Sequence, residues 1–118
     1  MPKVMIVDDD RTTSGLLQTL LELDGYDVII SPNLNNALNK AVEANPDAFL
    51  VDFYLSDQNG TSFVRELRAT DRFNDVPVIM TSGLDHEEDA LAAGANTFLI
   101  KPFEPSELIA LLRDMLNG

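Results

Sequence analysis

Five short runs of large apolar residues recur along the chain, and each leads into a stretch with helical spacing. The runs are Val4–Val7, Val28–Ile30, Phe49–Val51, Val78–Met80 and Phe98–Ile100. None alternates with polar residues, so each reads as a strand covered on both faces. Between them, apolar residues fall at helical intervals. Leu16, Leu17, Leu20 and Leu21 come first, with Gly25 as the stop. Leu34, Ala37, Leu38, Ala41 and Val42 follow, and Asn45-Pro46 breaks that helix. Phe63, Val64 and Leu67 mark a third helix after Asn59-Gly60. A short fourth begins with Asp85, Glu87, Glu88 and Asp89, charges suited to the positive end of a helix dipole, and stops at Gly94. Pro105 opens the fifth, which carries Leu108, Ile109, Leu111, Leu112, Met115 and Leu116.

Strands alternating with amphipathic helices specify a parallel sheet with helices on both faces and right-handed crossovers. The expected fold is α/β, a flavodoxin-like (βα)5 three-layer sandwich with a five-stranded parallel sheet of order 2-1-3-4-5. A chain of 118 residues suits a single domain over 1–118. Eight Lys and Arg stand against 20 Asp and Glu, a net charge of −12. A surface this acidic argues against direct nucleic-acid binding and against anionic membranes. Cysteine is absent, so neither disulfides nor thiolate metal ligands enter the fold. The apolar residues after Met1-Pro2-Lys3 are too few for a signal sequence, and no run approaches membrane-spanning length. A cytoplasmic location fits.

Open parallel sheets bind ligands outside the carboxyl ends of their strands, at the point where strand order reverses. In this order that point lies between strands 1 and 3. Asp8 and Asp9 end the first, and Asp52 ends the third. At about 5 Å and an effective dielectric of about 20, each like-charge pair there costs roughly 3 kcal/mol. Lys101, after strand 5, is the only cation placed to help, so an excess of two negative charges remains. A divalent ion would cancel it, and hard oxygen ligands with open water positions favour Mg²⁺, with Mn²⁺ as a substitute. Without an ion, at least one carboxyl is expected to have a raised pKa. Carboxylates are nucleophiles toward phosphorus. Phosphoryl transfer asks for an in-line nucleophile, a metal on the equatorial oxygens, a cation and a hydroxyl donor. Asp52, the Asp8–Asp9 pair, Lys101 and Ser82 supply these roles.

Four motifs in order then carry a family resemblance. They are Val7-Asp8-Asp9-Asp10, Val51-Asp52 with Gly60 eight positions on, Pro77 through Gly83, and Phe98 through Phe103. Together they resemble the receiver domain of bacterial two-component response regulators, of the chemotaxis-receiver kind, over essentially the whole chain. The resemblance implies that Asp52 is the phosphoacceptor and that Asp8 and Asp9 form the acidic pair, Asp9 being the direct Mg²⁺ ligand. It implies that Tyr54 lends a backbone carbonyl to the metal and that Ser82 is the switch hydroxyl. Lys101 is the conserved-type lysine, with a cis bond to Pro102. Phe98 is the aromatic that turns inward when the hydroxyl moves; being Phe, it lacks the hydrogen bond a Tyr would make. The implied partners are a sensor histidine kinase or a histidine phosphotransfer protein upstream, as in a phosphorelay. Downstream stands an unidentified protein or fused effector domain, with a phosphorylation-dependent homodimer also open. Such a domain is not a conventional enzyme, although it contributes to its own Mg²⁺-dependent phosphorylation and dephosphorylation.

Three positions depart from the family pattern. Ser56 stands where proline is usual, which is expected to loosen the loop after Asp52. Gly83 follows Ser82 where alanine is common, and is expected to make that loop more mobile. Tyr54 places a bulky ring beside the acceptor; this position and Leu84 are where the family sets dephosphorylation, and Tyr54 is expected to hinder the attacking water.

Plainer readings stand beside these. Asp10 is read as a helix cap rather than a third metal acid. Asp57 and Asn59 are read as turn residues. Arg65, Arg68 and Arg72 are read as a solvated face, and His86 as an exposed helix residue. Phe98 reads equally well as core. Two alternative functions remain: a Mg²⁺-dependent phosphatase with Asp52 as nucleophile, and a degenerate receiver that acts only as a binding module. The phosphatase would want a carboxylate two residues past Asp52, where Tyr54 stands.

Overall fold

Successive residues of β1 (Lys3–Val7) part to opposite sides of one sheet. Val4 and Ile6 enter a core built with Leu17 and Leu21 of α1 (Arg11–Leu23) and Leu108 and Leu112 of α5 (Pro105–Asn117). Met5 and Val7 enter a second core on the other side. There they meet Ala37 and Ala41 of α2 (Ala37–Ala44), Phe63, Val64 and Leu67 of α3 (Thr61–Arg68), and Ala90 and Ala93 of α4 (Glu87–Ala93). A strand that buries both faces has no polar side to show, which is why the apolar runs do not alternate.

The computed structural model describes residues 2–56 and 58–117. The remaining sheet strands are β2 (Asp27–Ser31), β3 (Ala48–Asp52), β4 (Val78–Ser82) and β5 (Thr97–Ile100). All neighbours run parallel, in the order β2-β1-β3-β4-β5. Among the described residues two helices cover one face and three the other, as the flavodoxin-like three-layer arrangement requires. Register fixes which strand ends meet. Val7 pairs with Val51, so Asp8 and Asp52 leave adjacent strands at the same edge. Asp52 pairs with Thr81, and Ser82 with Ile100, which carries the edge on to Lys101.

Helix ends follow their local chemistry. Asp10 caps α1, accepting from the Thr12 and Thr13 N–H groups and the Thr13 hydroxyl. Gly94 ends α4 in the left-handed region, at φ 117°. The second helix is shorter than its apolar spacing implies. Asn36 is left-handed at φ 60°, so the helix starts at Ala37 and Leu34 packs on the core from the turn before it.

Two pieces of local structure lie beyond what periodicity reveals. Tyr54–Leu55 and Gln58–Asn59 form a miniature antiparallel hairpin in what reads as loop, with Leu55 buried. The expected turn role of Asp57 lies outside the described residues. A 3-10 turn, Asp71–Phe73, drives Phe73 edge-on against Phe49, at 5.4 Å between ring centres. Arg68 and Arg72 are not a solvated strip. The Arg68 guanidinium donates to the carbonyls of Gly94, Phe73 and Val76 and to Asn96 Oδ1, and Arg72 donates to the Val42 carbonyl. These carbonyls sit in turns and at helix ends, where backbone partners are few, so a long planar donor takes the place of water.

Candidate functional site

At the carboxyl edge of β1, β3 and β5, Lys101 Nζ lies 3.2 Å from Asp8 Oδ2 and 3.5 Å from Asp52 Oδ2. Asp8 is buried, and its other oxygen accepts the Asp10 N–H. The Lys101 N–H continues the sheet ladder to the Ser82 carbonyl, so backbone register aims the ammonium at the two acids. The Lys101–Pro102 bond is cis.

Burial pushes the Asp52 carboxyl up to about 6, and the nearby Asp8 charge pushes the same way. The Lys101 ammonium and a hydrogen bond from the Tyr54 backbone N–H oppose that rise without cancelling it. For Lys101, burial works to lower the pKa, but the carboxylates of Asp8 and Asp52 outweigh it and the net shift is upward. The lysine is thus held charged, and Asp52 carries the strain of a site with too much negative charge.

Asp9 completes the cluster from outside. One oxygen from each of Asp8, Asp9 and Asp52 falls within 4.8 Å of the others. Asp9 is exposed, and its Oδ2 accepts both the N–H of Ser56, at 2.7 Å, and the Ser56 hydroxyl, at 3.0 Å. Three convergent carboxylates form a hard-oxygen donor set that suits Mg²⁺. The raised Asp52 pKa is the mark of a site that a divalent ion would relieve. Among the described residues, Asp8, Asp9 and Asp52 are the side chains grouped so that they could hold one.

Gly60 matters here for space. A Cβ at that position would run into the Asp52 carbonyl oxygen, so the start of α3 can rest directly on the end of β3. Gly83 is different, since a Cβ there would meet nothing within 4 Å. Ser82 is buried, and its Oγ accepts the Leu84 N–H at 3.2 Å. Phe98 lies inward in the core that also holds Met80 and Ala90. Asp10 is occupied as a cap and belongs to the helix rather than to the cluster.

His86 is not an exposed helix residue. It precedes α4, and its ring stacks on Phe53 at 4.2 Å with planes 8° apart, while Tyr54 meets it edge-on at 5.3 Å. Its Nε2 is buried and, among the described residues, finds no hydrogen-bond partner. Spacing along α4 could not reveal this, because the ring packs from the cap position rather than from a helical face. Ser56 was equally invisible as a partner of Asp9, since the two lie 47 positions apart.

Residues 4–113 match the family model of the response regulator receiver domain. The chain is 38% identical over 119 residues to the transcriptional regulatory protein PrrA of Mycobacterium tuberculosis, covering 98% of this chain and 50% of that protein. It thus spans about half the length of the curated relatives it matches. Among solved structures it is similar to the chemotaxis protein CheY4 of Vibrio cholerae, with a TM-score of 0.91 and 29% identity over 98% of this chain and 99% of that one. It is also similar to the receiver domain of the sensor histidine kinase PA1611 of Pseudomonas aeruginosa, with a TM-score of 0.88 and 29% identity over 99% and 98% of the two chains. That structure has a magnesium ion coordinated in its active site cleft.

Proposed function

Since the chain belongs to the response regulator receiver domain family, the receiver half of a two-component pathway, we propose that Asp52 is its phosphoacceptor and that a phosphohistidine is the donor. One observation carries this reading. Lys101 bridges Asp8 and Asp52 at 3.2 and 3.5 Å, on the strand edge where Asp9 closes a three-carboxylate cluster.

In the proposed step an Asp52 oxygen attacks phosphorus in line. The new O–P bond forms as the P–N bond to the donor imidazole breaks, and the imidazole leaves with the electron pair. Mg²⁺, or Mn²⁺ in its place, would neutralise the equatorial phosphoryl oxygens when held by Asp8, Asp9, Asp52 and the Tyr54 carbonyl. Lys101 sits where it can move from the Asp52 carboxylate to a phosphoryl oxygen. Ser82 can do the same by exchanging its contact with the Leu84 N–H for one with the phosphoryl group. That exchange would pull on the segment before α4, and Phe98 would respond from the core. The face made by α4, β5 and α5 then changes its affinity for a partner, which is either a separate protein, a fused effector domain or a second copy. Leu91 and Ile100 are exposed on α4 and β5, and so are available to such a contact.

We treat residues 1–118 as one receiver domain. It catalyses no turnover of a separate substrate but supplies the electrostatics for gain and loss of its own phosphoryl group. Among the described residues no helix is long and apolar enough to cross a membrane. Phosphorylation by a small-molecule phosphodonor with Mg²⁺, read by intact-protein mass, tests the proposal. One phosphoryl group per chain is expected, with none on Asp52→Asn. Undiminished labelling of Asp52→Asn would end it, and repeated turnover of a phosphate ester would favour the phosphatase reading.

A further inference from the structure

Asp8 and Asp52 are held in the cluster by strand register, by burial and by Lys101. Asp9 has none of these. It is exposed, it follows the last residue paired in the sheet by two positions, and both neighbouring carboxylates repel it. Left alone, such a side chain would swing into water, where its charge is better solvated and farther from its like. It does not, because Ser56 grips one oxygen with two donors, the backbone N–H at 2.7 Å and the hydroxyl at 3.0 Å.

That grip depends on an unusual backbone. Ser56 adopts φ 55°, in the left-handed region that only a few residue types visit readily. The conformation turns its N–H and its hydroxyl toward the same carboxylate oxygen. A proline could do neither, since it has no N–H and its φ is fixed near −65°. In that position one Asp9 oxygen lies within 4.8 Å of ligand atoms from both Asp8 and Asp52. The site is therefore gathered before any ion arrives.

We propose that Ser56 is a positioning residue for the divalent cation: by clasping Asp9 it preorganises the outer ligand and raises the affinity for Mg²⁺. This rests on the metal site proposed above. Groups that hydrogen-bond a metal's ligands typically contribute 10- to 100-fold in metal affinity.

Calorimetric titration of the intact chain with MgCl₂ tests it without any phosphorylation. Ser56→Ala removes the hydroxyl and keeps the N–H, and is expected to weaken Mg²⁺ binding by about 10-fold, the low end of that range. Ser56→Pro removes both donors and should weaken it further. Thermal melts in the absence of metal separate misfolding from lost affinity; a folded Ser56→Ala suffices for the decision. Binding of Mg²⁺ to Ser56→Ala within twofold of the parent overturns the proposal. Tighter binding also overturns it, because Ser56 would then be competing with the metal for Asp9. Asp9→Asn in the same titration keeps the two readings apart. If Asp9→Asn binds Mg²⁺ as well as the parent, the metal site itself is wrong. If it loses binding while Ser56→Ala does not, only the role of Ser56 fails.

Discussion

The two walls of the acidic pocket are built by different means. The inner wall, Asp8, Asp52 and Lys101, stands on strand ends whose register is fixed by pairing along whole strands. The outer wall, Asp9, Ser56 and Tyr54, stands on turns and a two-residue hairpin strand, and is held by two hydrogen bonds and a small aromatic cluster. On the inner wall, a charge is forced to stay where the fold puts it, and the consequence is a carboxyl with its pKa driven up to about 6. On the outer wall, a charge stays only while its neighbour holds it. The difference teaches where tuning is cheap. Changes to the inner wall act on the fold and the chemistry together, while changes to the outer wall can adjust affinity or lifetime and leave the fold alone.

Lys101→Met breaks that comparison if it is wrong. It leaves Asp8 buried beside Asp52 with no cation between them. A loss of about 2 kcal/mol in unfolding free energy is expected, less than for a fully buried pair because Lys101 is partly exposed. Ser56→Ala should change stability by no more than about 0.5 kcal/mol. Urea denaturation of both, without metal, makes the comparison. Equal losses would mean that the two walls are equally structural.

The titration of Asp52 sharpens it. A carboxyl raised to about 6 in the folded chain, against 3.8 as the ordinary value, takes its proton in the native state first. The native state therefore binds more protons than the unfolded one between about pH 4 and 6. Stability of the metal-free chain should rise as pH falls through 6, and that gain should be complete near pH 4. Above 6 the ionised carboxyl costs about 1–2 kcal/mol, a figure reduced for solvent screening. Asp52→Asn should be the more stable chain at pH 7, with its advantage fading toward pH 4. Melting temperatures across that range measure it, and a constant difference would refute the assigned charge. Added Mg²⁺ should flatten the profile of the parent.

This contrast also explains how much could be read from the sequence. The apolar runs at Val4, Val28, Phe49, Val78 and Phe98 give the sheet, because a strand buried on both faces needs no long-range information to be recognised. Sheet order then brings Asp8, Asp52 and Lys101 together without any knowledge of side-chain contacts. The outer wall has no such shortcut. The Ser56 clasp on Asp9 depends on a left-handed φ, and the stack of His86 on Phe53 depends on a cap conformation. Neither leaves a periodic signal. Arg68 escaped for a related reason: its partners are the carbonyls of Gly94, Phe73 and Val76 and the side chain of Asn96, and spacing along one helix says nothing of them.

Tyr54 is the outer wall's test of lifetime. Its ring is half exposed and leans edge-on against Phe53, at 4.9 Å, and against His86. Tyr54→Ala should open the approach of water to the phosphorylated Asp52. Loss of the phosphoryl group about fivefold faster is expected, equivalent to roughly 1 kcal/mol in the barrier. Decay of the phosphorylated chain, followed by mass after the donor is removed, gives the rate. An unchanged rate would show that the ring shields nothing.

Gly83 gives the smallest effect and the most discriminating control. It sits between Ser82 and Leu84, whose N–H donates to the Ser82 hydroxyl. A Cβ would meet nothing within 4 Å, unlike Gly60, where it would strike the Asp52 carbonyl. Space therefore does not demand glycine at position 83. What glycine supplies there is freedom in the unfolded chain and in the loop. Gly83→Ala should stabilise the protein by about 0.5 kcal/mol, through the unfolded state alone. It should leave Mg²⁺ affinity unchanged, because no ligand atom moves. If it instead weakens Mg²⁺ binding as Ser56→Ala is expected to, the loop after β4 belongs to the outer wall, and the division drawn at Asp9, Ser56 and Tyr54 is too narrow.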